Sequence, residues 1–90
     1  MVTSMFMHLI SQYEETLYEL DQVVEDHYPG LPSASACLTK KKLDKIGDKM
    51  LQFIEIRKGM KRTFLSVHEE ELAYDMLSYG QQLTDDYFTA

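Results

Sequence analysis

Ninety residues bound this chain to one domain, and a single cysteine, Cys37, rules out an internal disulfide. The composition is 44% apolar and 27% charged, too apolar for a disordered chain, and no apolar run approaches the roughly 18 residues that span a membrane. A net charge of −6 opposes nonspecific binding of nucleic acid by the surface as a whole.

A chain this short buries only about 60–65% of its unfolded surface. With no disulfide to staple it, burial between copies is the remaining route to extra stability, so a dimer is expected. The opening MVTSMFMHLI lacks a basic leader and a small-residue cleavage site. It reads as the front of a helix and not as a signal peptide, and the expected location is the cytoplasm.

Residues 4–28 read as the first helix. Phe6, Leu9, Tyr13, Leu17, Leu20 and Val24 are spaced 3, 4, 4, 3 and 4 apart, and His27 or Tyr28 continues the stripe. Met5, Ile10 and Val23 widen it enough for two neighbours. Ser4 is the expected N-cap, and Pro29-Gly30 ends the helix. Residues 29–38 then read as a loop, with Leu31 and Leu38 tucked against the helix ends.

The spacing predicts a second helix over 39–58, capped by Thr39. Its stripe is Leu43, Ile46, Met50, Phe53 or Ile54, Arg57 and Met60, with Leu51 and Ile56 off it. Gly47, beside Ile46, is expected to admit a neighbouring helix closely, and Gly59 to stop the helix. Ser66-Val67-His68-Glu69 fits a capping box and predicts a third helix over 67–84. Leu72, Ala73, Met76, Leu77, Gly80, Leu83 and Tyr87 carry its inner face. The expected fold is an all-α, three-helix antiparallel bundle, alone or as half of a dimeric one.

Charge is sorted by helix. Residues 1–38 hold six acidic residues and no lysine or arginine. Residues 39–62 hold all nine basic residues against Asp44, Asp48 and Glu55, and residues 63–90 hold six acidic residues with no basic one. Such an order favours one pairing of helices over the alternatives. The competing reading is that one block is a docking surface, either the basic block for nucleic acid or an acidic partner, or the acidic faces for a basic partner. Lys41, Lys45 and Lys49 share one helical face, and Arg57, Lys58, Lys61 and Arg62 cluster at the far end. Lys40, Lys41 and Lys42 would sit at a helix N-terminus, where the dipole disfavours cations. Tyr18, Tyr74 and Tyr79 fall off the apolar stripes, and tyrosine is enriched at protein interfaces. These ten residues, the seven cations and three tyrosines, are the candidate partner-binding set.

The residues that catalysis needs are not grouped. His8, His27 and His68 include no i, i+4 pair and no HExxH. The acidic segments Glu14-Glu15…Glu19 and Glu71…Asp75 are each one residue too long for the EExxE and ExxD spacing of helical Mg²⁺-dependent pyrophosphatases. Glycines 30, 47, 59 and 80 stand alone, so no phosphate loop is formed. Cys37 has no base nearby in sequence and reads as a small buried residue. No catalytic residue, metal or cofactor is expected.

The reading is a small non-catalytic protein–protein interaction module, an adaptor, regulator or inhibitor. Its style is that of an accessory protein of a phage or mobile element, and its sharpest form is an inhibitor whose carboxylates mimic DNA. The alternative is a nucleic-acid-binding protein using the basic segment 40–62. The block has no helix-turn-helix signature, and asparagine, a frequent base reader, is absent from the chain.

Overall fold

The computed structural model describes residues 2–27, 34–60 and 65–89. They form three helices: α1 (Val2–His27), α2 (Ala34–Gly59) and α3 (Val67–Thr89). Phe6 of α1 meets Phe53 of α2, and Gly47 at mid-α2 meets Tyr13 and Leu77. Glu70 of α3 meets Arg57 near the end of α2. The path is therefore up-down-up, with α2 antiparallel to both neighbours, as the sequence predicts. The molecule measures 46 × 19 × 17 Å, and a helix of α1's length is about 39 Å long. Each helix therefore runs most of the rod, and each keeps one long face toward solvent.

The core is the predicted stripes with a few exchanges. Phe6, Ile10, Tyr13, Leu17 and Leu20 of α1 pack on Leu43, Ile46, Met50 and Ile54 of α2 and Ala73 of α3. Leu65, outside the predicted helices, closes one end of this cluster. The Phe6 and Phe53 rings lie 5.7 Å apart and tilted by 48°, a favourable aromatic geometry. Ile10 is buried and Leu9 only partly so, which reverses their expected ranking. Met5, Met60 and Leu72, expected on inner faces, are exposed. Phe6 and Ala73, the chain neighbours of Met5 and Leu72, are fully buried, so these two side chains lie at the outer edge of their stripes.

Among the described residues three threonines are buried, and none of them counts as apolar in a spacing pattern. Thr16, Thr39 and Thr84 each turn the hydroxyl back onto the carbonyl four residues earlier, Gln12, Ser35 and Gly80, at 2.8, 2.9 and 2.8 Å. The helix itself satisfies the polar atom, so a small side chain can sit between close-packed helices without an orphaned donor.

Several helix limits differ from expectation. α1 begins at Val2, so Ser4 lies in its first turn and is not the N-cap. It ends at His27, two residues before Pro29, as proline requires. α2 begins at Ala34, five residues before Thr39, and Thr39 is therefore an interior residue and no cap. Ala34 and Ala36 have the highest helix propensity of any residue, and Ala36 is fully buried, so packing recruits the segment that reads as loop. Cys37 and Leu38 consequently face outward and are exposed, not buried or tucked in. The earlier start also removes the expected dipole conflict, because Lys40, Lys41 and Lys42 lie beyond the first turn. Pro29, Gly30, Leu31 and Tyr28 lie outside the described residues.

α2 stops at Gly59, with one further turn bond from the Met60 N–H to the Ile56 carbonyl at 3.0 Å. α3 opens as the capping box predicts. The Glu69 N–H donates to the Ser66 hydroxyl at 3.1 Å, and that hydroxyl lies 3.2 Å from the Glu69 carboxylate. The helix then runs five residues past the predicted end, held by Tyr87, which is buried.

Candidate partner-binding surface

The basic residues divide into two groups with different fates. At the end of α2, Arg57 forms an ion pair with Glu70 of α3, and the two side chains are only 11% and 17% exposed. One residue on, the Lys58 ammonium donates to the Tyr74 hydroxyl at 3.1 Å and lies 5.4 Å from the centre of that ring. The hydrogen bond to Tyr74 pushes the Lys58 pKa upward. Three of the ten candidate residues thus join α2 to α3 within the chain. Lys61 and Arg62 lie outside the described residues.

The second group faces solvent. Lys41, Lys45 and Lys49 are exposed and make no ion pair among the described residues. Lys40 differs: it pairs with Asp44 one turn along the same helix, at 3.1 Å. The outer face of α2 also carries Leu38, 67% exposed, and Ile56, 62% exposed. In order, Leu38, Lys41, Lys45, Lys49, Gln52 and Ile56 are spaced 3, 4, 4, 3 and 4. That is a second helical stripe, back to back with the buried one, about 27 Å long. Its middle is cationic and its ends are apolar.

Tyr18 and Tyr79 occupy other surfaces. Tyr18 is exposed on α1 among Glu14, Glu15 and Glu25, one or two turns away on the same face. Tyr79 is exposed on α3 beside Leu72, Met76 and Leu83, at i, i+4, i+7 and i+11 spacing counted from Leu72. The structure therefore does not gather the tyrosines and lysines into one patch.

Sequence reasoning missed a groove between α2 and α3. Tyr13 of α1 forms its floor, flanked by Gly47 and Gly80. A Cβ at Gly47 would lie 3.0 Å from Leu77 Cδ2 and 3.6 Å from Tyr13 Cε2, so the expected close approach is realised. A Cβ at Gly80 would fall on the Tyr13 hydroxyl and 3.0 Å from Leu17 Cδ2. Burial raises the Tyr13 pKa to about 12, with a smaller push from the Asp44 carboxylate. The two glycines were visible as stripe positions, but their common partner was not.

His8 and His68 are exposed, and among the described residues no three His, Cys, Asp or Glu side chains are grouped to hold a metal ion. No described helix is long and apolar enough to cross a membrane. Comparison with protein-family models, with curated proteins and with solved structures returns no match to this chain.

Proposed function

We propose that this protein is a non-catalytic interaction module that acts in the cytoplasm as an adaptor, regulator or inhibitor. It docks an acidic protein partner along the outer face of α2. The observation that carries this reading is the second stripe of α2. Three lysines without ion-pair partners among the described residues are bracketed by two exposed aliphatic side chains at helical spacing. An unpaired cationic row attracts carboxylates, and exposed leucine and isoleucine at its ends suit an apolar contact on a helix-sized partner.

A second reading has the same row meeting nucleic-acid phosphates. The lysines' freedom from intramolecular pairs supports it, while Leu38 and Ile56 argue against it, because phosphates offer them nothing.

The test compares the native chain with the variant carrying Lys41→Glu, Lys45→Glu and Lys49→Glu. Capture from a cell lysate that is lost in the folded variant supports the docking face, and equal capture by both forms removes it. Duplex DNA that binds the native chain with a steep salt dependence, and not the variant, replaces the protein reading with the nucleic-acid one. We also propose a homodimer, which suits a short chain with apolar side chains exposed on all three helices. Light scattering that gives a monomer at every concentration would remove that part.

A further inference from the structure

Two charged rows of opposite sign share one face of the rod. On α2, Gly47 and Lys58 turn toward Leu77 and Tyr74 of α3, and the lysine row stands about 150° round the helix from them. On α1, Tyr13 and Leu17 meet Gly80 of α3, and Glu15 and Glu19 stand about 160° round from those two. Both rows therefore lie on the side away from α3, on the broad face that α1 and α2 form together. Glu15, Glu19 and Asp26 are exposed there, as are Lys41, Lys45 and Lys49, and none of them forms an ion pair among the described residues.

We propose that this face closes on a second copy of the chain, with the two rods parallel, so that α1 of each copy lies along the lysine row of the other. The assignment rests on the reading of the outer face of α2 as a docking surface for an acidic partner, and it names that partner. Charge selects the arrangement. A two-fold axis across the rods would stack α1 on α1 and α2 on α2, like charge on like. A two-fold axis along the rods sets each α1 against the other copy's α2. It moves no residue along the rod, so the register inside one copy carries over to the contact. Phe6 faces Phe53 and Tyr13 faces Gly47, which fixes that register. It brings Glu15 level with Lys45 and Glu19 level with Lys41 of the other copy, and each pair forms twice. Met5, 60% exposed, comes within about a turn of Ile56, 62% exposed, so an apolar end of the lysine row gains an apolar neighbour. The face is about 27 Å long on a molecule 19 Å wide, at the small end of specific interfaces, so a dimer that dissociates in the micromolar range is expected.

Two variants of the full chain test this by sedimentation velocity: Glu15→Lys with Glu19→Lys, and Lys41→Glu with Lys45→Glu. The altered side chains are all exposed, and circular dichroism checks that both variants fold. The native chain should dimerise. Each variant alone sets like charges against each other at every contact and should raise the dissociation constant about tenfold or more. An equimolar mixture of the two restores opposite charges at every contact and should return the constant to within about threefold of native. The neutral variant Lys41→Gln with Lys45→Gln brings no repulsion, should weaken the dimer about threefold, and carries the test if a reversed variant does not fold. A native monomer at every concentration overturns the second copy as occupant, yet leaves the face of α2 open to another acidic protein, which capture from lysate scores separately. A dimer that none of the variants weakens lies on another face and overturns the assignment. Weakening in both reversed variants without rescue on mixing also overturns it, because the lysines and glutamates would then act within one chain.

Discussion

The hydroxyl of Tyr13 lies where a side chain on Gly80 would have to stand. Leu17 leaves only 3.0 Å to the same point, so the position is closed from two sides. Gly80→Ala should therefore destabilise the bundle by roughly 1–3 kcal/mol, an overpacking cost that exceeds the helix-propensity gain of alanine. Gly59→Ala is the matched control. It meets nothing within 4 Å and should be neutral or stabilising by up to about 1 kcal/mol. Urea midpoints measure both. Tyr13→Phe removes the hydroxyl but not the ring, so it should recover part of the Gly80→Ala loss, and additive effects would refute the contact.

The same tyrosine sets an alkaline limit. Its pKa is pushed to about 12 in the folded chain, chiefly by burial, against an ordinary value near 10. The group is raised on folding, so its contribution to stability is fully present below pH 10. It falls as pH rises from 10 through the folded value near 12. Ultraviolet titration should show one tyrosine ionising late, and Tyr13→Phe should remove that late step. Thermal midpoints of the native chain should fall more steeply than those of Tyr13→Phe across this window.

Arg57 and Glu70 form an interhelical pair at one end of the rod, largely shielded from water. Breaking it leaves a charge with reduced solvation, so Glu70→Gln should cost roughly 1–3 kcal/mol, more than an exposed pair and less than a fully buried one. Lys40→Gln breaks the exposed pair within α2 and should cost about 0.5 kcal/mol or less. A double-mutant cycle on Arg57 and Glu70 checks the coupling. Added salt should erase the Lys40 effect and spare most of the Arg57 effect.

The helices themselves were legible because the 3-and-4 spacing of α1 and the capping box at Ser66 each report a local cause. What misled at α2 was composition. Ser-Ala-Ser-Ala-Cys after a proline reads as loop, and only the burial of Ala36 against the other helices shows why it is helix. The threonines misled for a related reason, since Thr16, Thr39 and Thr84 are polar by type yet satisfied by their own helices. The lysine row could be drawn from spacing alone. The groove could not, because Tyr13, Gly47 and Gly80 come from three helices and meet only once their register is set by packing.

The acidic-basic-acidic order can now be divided by position. Arg57 and Lys58 hold α3 against α2, whereas Lys41, Lys45 and Lys49 touch no carboxylate among the described residues. If the segregation served pairing throughout, reversing any part of the basic block would loosen the bundle. If the two parts differ, the reversals separate. Lys41→Glu, Lys45→Glu and Lys49→Glu together should leave the urea midpoint within about 0.5 kcal/mol per site, because solvent-facing side chains clear of other contacts carry little stability. Arg57→Glu alone should cost more than that whole triple change, since it sets like charges against each other at Glu70. Equal losses from the two variants would return the lysine row to a structural role and remove the reason to treat the outer face of α2 as a docking surface.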